Sequence, residues 1–262
     1  MLARVTNAQV APPAPPTPPS SPFMVTESQI FAFLQNMPPE MGKPIASLIN
    51  GLLSDTTSHM KMAARRPGTH ADTVRANGIV KAMHASLMQY TDVAAAERDG
   101  YVRFLPWLED QTVYHFNNGA NSRLSATTFD AAKPTSLLYR KDEHGKMVLV
   151  GAMYTAPASS TPAELDARLP TGIAYWHQHV NFCARRPTVA EISAARPDSA
   201  LVAHSLQLDT PSACSAEGGM FIPQLFGWMA HINAFDGDNF DSIWGEEGKD
   251  HMARHAHKHG GL

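Results

Sequence analysis

Residues 176–181 read Trp-His-Gln-His-Val-Asn, within a run from Ile173 to Phe182 whose composition predicts a β-strand. Side chains two apart on a strand share a face, so His177 and His179 would point the same way, with backbones roughly 6.5–7 Å apart. Neutral imidazole is the most frequent protein ligand for zinc, copper and non-haem iron, and two on one face form half of a mononuclear metal site. The other half is expected from His115 and His231, each in another aromatic-rich segment. Three or four imidazoles would leave room on the ion for water or substrate.

The surroundings of these histidines suggest how a site would be finished. Tyr114, Phe116, Tyr175, Trp176, Phe226 and Trp228 flank them in sequence and are expected to form an aromatic wall. Asn117, Gln178, Asn181, Gln224 and Asn233 carry amides able to orient an imidazole. Trp176, Asn181, Gln224 and Trp228 are the residues expected to contact a small-molecule substrate. Glu217 is the one carboxylate weighed as a further ligand; no catalytic acid, base or nucleophile is assignable. Cys183 beside His179 is the only thiol–imidazole pairing. Each histidine alone also fits a core residue bonded to a carbonyl, or an imidazole packed on an aromatic ring.

Positioning these residues requires helices first and strands later. Glu27–Asn36 and Pro44–Leu53 have short helical spacing, and Asp72–Arg98 predicts a long helix with Val74, Ile79, Met83, Leu87 and Tyr90 on one face, stopped at Asp99-Gly100. Ser136–Arg140 and Lys146–Tyr154 predict a hairpin around Gly145, Thr161-Pro162-Ala163-Glu164 a helix start, and Phe221–Phe235 a core strand or strand pair. The fold class expected is α+β, with N-terminal helices packed on a curved antiparallel β-sheet or a small cupin-like barrel. Residues 1–25 form a Pro-rich leader, 26–247 a single metal-binding domain, and 248–262 a His-rich tail bearing His251, His255, His257 and His259.

The segment Tyr90-Thr91-Asp92-Val93-Ala94-Ala95-Ala96-Glu97-Arg98-Asp99-Gly100-Tyr101, followed by Tyr114-His115-Phe116, Leu138-Tyr139, Trp176-His177 and Gly227-Trp228-Met229-Ala230-His231, resembles a family of exported bacterial proteins. The resemblance spans roughly 82–235. In that family a helix ending in Tyr-X-Asp-Val-X-X-Ala-X-X-X-Gly-Tyr precedes a His-aromatic pair, a Trp-His strand and a late Met-X-His segment. It implies export and a histidine cluster at His115, His177 and His231, with His179 as a further member, and it supplies no activity.

Composition narrows the function classes. The chain has 262 residues, 44% hydrophobic and 17% charged, so it can bury a sizeable core. A net charge of −3 without a basic stripe argues against nucleic acid. No apolar run approaches the ~18 residues of a membrane span. Residues 11–22, rich in proline, form an extended tether of the kind that often joins an export signal to a folded body. The apolar stretch of such a signal is missing ahead of it; the expectation is that it was removed and the protein is periplasmic or secreted, the other reading being that it is not exported. Cys183 and Cys214 would close a loop of about 30 residues worth ~3–4 kcal/mol if bridged, or would be two buried thiols. One divalent transition metal is expected, copper or zinc with iron the further option, and the partner is a small-molecule substrate or a metal donor. The first reading is a metal-dependent enzyme, an oxidoreductase among the options. The second is a copper- or zinc-handling protein without turnover, suggested by 13 histidines and 13 methionines. The third is a secreted binding module with an aromatic-lined pocket.

Overall fold

The computed structural model of the chain describes residues 35, 58–109, 111–185, 207–236 and 239–245. The expected helices at Glu27–Asn36 (save Gln35) and Pro44–Leu53, the leader 1–25 and the tail 248–262 lie outside them. The remainder is α+β, as expected. Its strands are β1 (Met60–Met62), β2 (Tyr101–Arg103), β3 (Tyr114–Asn118), β4 (Ser136–Lys141), β5 (Met147–Ala156), β6 (His177–Ala184) and β7 (Met220–Ile232). They form one antiparallel sheet in the order β1-β6-β7-β5-β4-β3-β2. The sheet is open, with β1 and β2 at its two edges, so the curved form of the expectation holds and the closed barrel does not.

Its helical layer begins with α1 (His70–Leu87), started by Thr69, whose hydroxyl accepts from the Asp72 backbone N–H while the Asp72 carboxylate accepts from the Thr69 N–H. Asp72, Ala76, Ile79, Met83 and Leu87 make the buried stripe, spaced three and four apart. Val74 was expected on it but is 59% exposed, because it sits five residues from Ile79 and so on the opposite side of the cylinder. The expected single helix to Arg98 is broken into α1, a 3-10 turn (Met88–Thr91) and α2 (Val93–Arg98). Asp92 causes the break: its carboxylate accepts from the Ala94 N–H and caps a new helix, and Asp92 itself is extended. The Tyr139 hydroxyl on β4 donates to the Tyr90 carbonyl at 2.6 Å, pinning this turn to the sheet.

Between helices and sheet lies the main core, with Tyr114, Phe116, Leu137, Tyr139, Tyr154, Trp228 and Ile232 from the strands, Trp176 from just before β6, and Ile79, Met83 and Leu87 from α1. The β4–β5 hairpin turns at Gly145, whose φ of +78° suits glycine, with the Asp142 carboxylate accepting from the His144 and Lys146 N–H groups. Helix α3 (Gly119–Ser125) is capped by Asn118, and α4 (Pro162–Arg168) has the capping box expected from Thr161 and Glu164. Arg66 bridges Asp72 of α1 and Asp166 of α4. The β6 strand starts at His177, four residues later than expected, since Ile173 and Ala174 turn back to bond the Pro170 carbonyl.

Curvature comes from local irregularities. Register shifts between Leu138 and Tyr139 and between His177 and His179 increase the local twist. Asn181 on β6 and Phe226 on β7 adopt φ of +63° and +68°. At Gly151 the β7 backbone comes so close that a Cβ would overlap the Ile232 carbonyl oxygen. Cys183 and Cys214 are joined in a disulfide, tying β6 to α5 (Pro211–Ala216) just before β7.

Candidate metal centre

Strand pairing sorts the expected residues onto two faces. His115 on β3 stands across from Leu138, His231 on β7 across from Met153, and His177 on β6 across from Met229. Directly opposed residues of an antiparallel pair share a face. Leu138, Val150, Met153 and Met229 form a second apolar cluster, separate from the helix-packed core, with Val113 and Phe226 against it. The four histidines therefore rise around this smaller cluster, on the face turned away from α1.

They also meet. Nε2 of His115 and Nε2 of His231 are 3.4 Å apart. The rings of His115 and His231 are centred 5.5 Å apart, those of His177 and His231 5.2 Å, and those of His177 and His179 5.4 Å. Strands β3 and β7 are three steps apart in the sheet, about 14 Å if it were flat. Only a sheet folded toward this face brings their imidazoles into contact.

These spacings can be tested against a metal site. Two imidazoles on one tetrahedral ion, with bonds of ~2.0–2.1 Å, put their nitrogens ~3.3 Å and their ring centres roughly 5.2 Å apart. The observed 3.4 Å is longer than the 2.7–3.2 Å usual for an N–H donor and close to that tetrahedral edge. Among the described residues, however, no three His, Cys, Asp or Glu side chains are arranged as they stand to hold one ion. The rings contact at interplanar angles of 63°, 46° and 79° rather than aiming their nitrogens at a common point. Turning an imidazole about χ2 is a soft motion, while the strand backbones set the pairwise spacings of the rings.

His177 and His179 are buried, while His115 and His231 are half-buried. A fifth imidazole extends the row: His59, fully buried, packs its ring 5.4 Å from Phe182, whose other neighbour is the His179 ring at 6.2 Å. Its Nδ1 lies 3.3 Å from the Val180 carbonyl oxygen. Sequence reasoning missed His59 because it precedes a strand of only three residues, with no periodicity to mark it.

The other expected site residues fall elsewhere. Trp176 and Trp228 are buried in the main core on the helix side, as are Tyr114 and Phe116, because each adjoins a histidine or its same-face neighbour along a strand. The expected aromatic wall is thus reduced to Phe226, which packs on the histidine-side cluster and meets Phe104 edge-on at 6.2 Å. Asn181 donates to the Ser58 carbonyl at 2.8 Å and Gln224 to the Phe226 carbonyl at 2.7 Å. Both line an open cleft of about 600 Å³ with Lys61, Gln178 and Val180 at the β1–β6 edge. Ser58, Pro223 and Met60, the cross-strand partner of His179, complete its lining. Glu217 is exposed at the end of α5, separated from His231 by the length of β7. Cys183 is in the disulfide, which removes it as a nucleophile.

Comparison of the chain with family models, with curated proteins and with solved structures gave no match to any of them.

Proposed function

We propose that this chain is an exported metalloprotein in which His115, His177 and His231, with His179 beside them, hold a single divalent transition-metal ion on the inner face of the curved sheet. The observation carrying this reading is the 3.4 Å separation of the His115 and His231 nitrogens across three strand steps, the spacing of two ligands on one tetrahedral ion. The disulfide supports the exported part of the reading, since such bridges persist outside the reducing cytoplasm.

Bound here, zinc, copper or iron would supply Lewis acidity, and copper or iron a redox couple as well. The chain's own part is to hold the imidazoles on a rigid sheet and to keep Leu138, Val150 and Phe226 around them as an apolar surround. Turnover of a small molecule is the first use of such a centre. Metal handling without turnover is the second, favoured by the methionines that border the histidines.

The test is metal titration of the full-length chain with His251, His255, His257 and His259 changed to Gln. One equivalent of zinc(II) or copper(II) should bind, and neither His177→Ala nor His231→Ala should retain it. Absence of binding, or undiminished binding in both variants, would overturn the proposal.

A further inference from the structure

Five residues stand directly across from His177, His179 and His231 in the sheet: Met62 and Met229, Met60 and Leu225, and Met153. Four of the five are methionine. With 13 methionines in 262 residues, each position has about a one-in-twenty chance of being one, so the pattern needs a cause. Strand propensity does not supply it, because pleated positions favour β-branched and aromatic side chains over unbranched ones.

Their placement suggests the cause. Met229 is opposite His177 and two residues before His231 on the same face, so it neighbours both imidazoles, whose rings are 5.2 Å apart. Met153 is opposite His231. Both are buried, at 5% and 8% exposure, and share one apolar cluster with Leu138, the cross-strand partner of His115. Met60 and Met62 repeat the pairing at the β1 edge, against His179 and His177. Thioether sulfur is a soft ligand that favours copper(I), whereas imidazole suits zinc(II) and copper(II) without it. Thioethers and imidazoles interleaved on one face make a site that holds copper in its monovalent form.

We infer that the ion this centre is built to take is copper, and that copper(I) is held by Met153 and Met229 together with His177 and His231. The inference rests on the metal-centre reading above, names its ion as copper, and adds that the centre holds the reduced copper(I) form as well as the divalent one. It gives Met153 and Met229 a role beyond filling space, which is what methionine otherwise does in a core.

The experiment compares the full-length chain, its tail histidines changed to Gln, with the Met153→Leu/Met229→Leu double variant. Leucine keeps the volume, so folding should survive. Copper(I) is supplied without oxygen against a chromophoric copper(I) chelator, and zinc(II) is titrated separately. The double variant should lose at least tenfold in copper(I) affinity while zinc(II) affinity stays within threefold. X-ray absorption of the copper(I)-loaded parent should show sulfur next to copper, and the variant should lack it. Unchanged copper(I) affinity and no sulfur shell in a parent that still binds zinc would overturn the thioether assignment alone. Failure to bind either metal would overturn the metal-centre reading and this inference together.

Discussion

His231 touches both His115 and His177, ring centre to ring centre at 5.5 and 5.2 Å, whereas His115 and His177 come from strands separated by three others. It is an inner member of the row His115, His231, His177 and His179, with an imidazole in contact on either side.

Removing this inner member should therefore cost more metal affinity than removing an end. His231→Ala is expected to weaken binding by about 100-fold or more, above the 10–100-fold typical of losing a supporting residue around a site. His179→Ala should cost less. Competition against a fluorescent zinc chelator ranks the two, and an inverted order would contradict the inner position of His231.

Acid stability should depend on the Arg66 bridge. The Arg66 guanidinium, then Thr69, holds the Asp72 carboxyl well below the usual carboxylate range. Burial pushes the Asp166 carboxyl up, but hydrogen bonds from Arg66 and Thr171 outweigh it and leave it lowered. With both folded values depressed, the unfolded chain binds more protons just below its ordinary value of ~3.9. The stabilisation is thus complete above that value and is lost as pH falls through the folded ones. Melting midpoints recorded from about pH 6 to pH 2 should fall less steeply for Asp72→Asn than for the parent. Parallel curves would rule the bridge out as a source of acid sensitivity.

Reducing the Cys183–Cys214 bridge, whose cysteines are 31 residues apart, should lower stability by about 3–4 kcal/mol on the loop-entropy estimate. Urea unfolding with and without reductant, or of the Cys183→Ala/Cys214→Ala variant, measures it. A loss under about 1 kcal/mol would mean that the unfolded chain gains little freedom when the bridge opens.

Gly151→Ala should be damaging although the added group is one methyl. The new Cβ would meet the Ile232 carbonyl at the end of β7 and the Cα of Asn233 just after it, which are backbone and cannot swing aside. We expect a loss of about 1–3 kcal/mol, with weakened metal binding because β7 carries His231. A melting temperature equal to the parent's would show that β5 and β7 can separate locally without penalty.

Much of the architecture was legible from periodicity. The β4–β5 hairpin, the capped start of α4 and the His-X-His face of β6 follow from local rules, and each is found. The helix ending at Arg98 was overextended because Asp92 competes as a cap, a choice that apolar spacing does not register. At the site, the histidines could be named but their company could not. Aromatic residues next to a strand histidine look close in sequence, yet the pleat sends Tyr114, Phe116, Trp176 and Trp228 to the opposite face. The residues two positions away, Val113 and Met229, carried the usable signal. Cross-strand partners such as Met153 depend on strand order, which no local pattern encodes.

Among the described strands, β7 comes last in the chain yet lies inside the sheet, paired with β5 on one side and β6 on the other. As the polypeptide is made amino end first, β5 and β6 wait with a gap between them, and His115 and His177 have no imidazole to join them. The imidazole that closes the row is delivered by the same strand that closes the sheet. The contacts of His231 with His115 and His177 therefore form only at the step that completes the sheet, and they report on its closure.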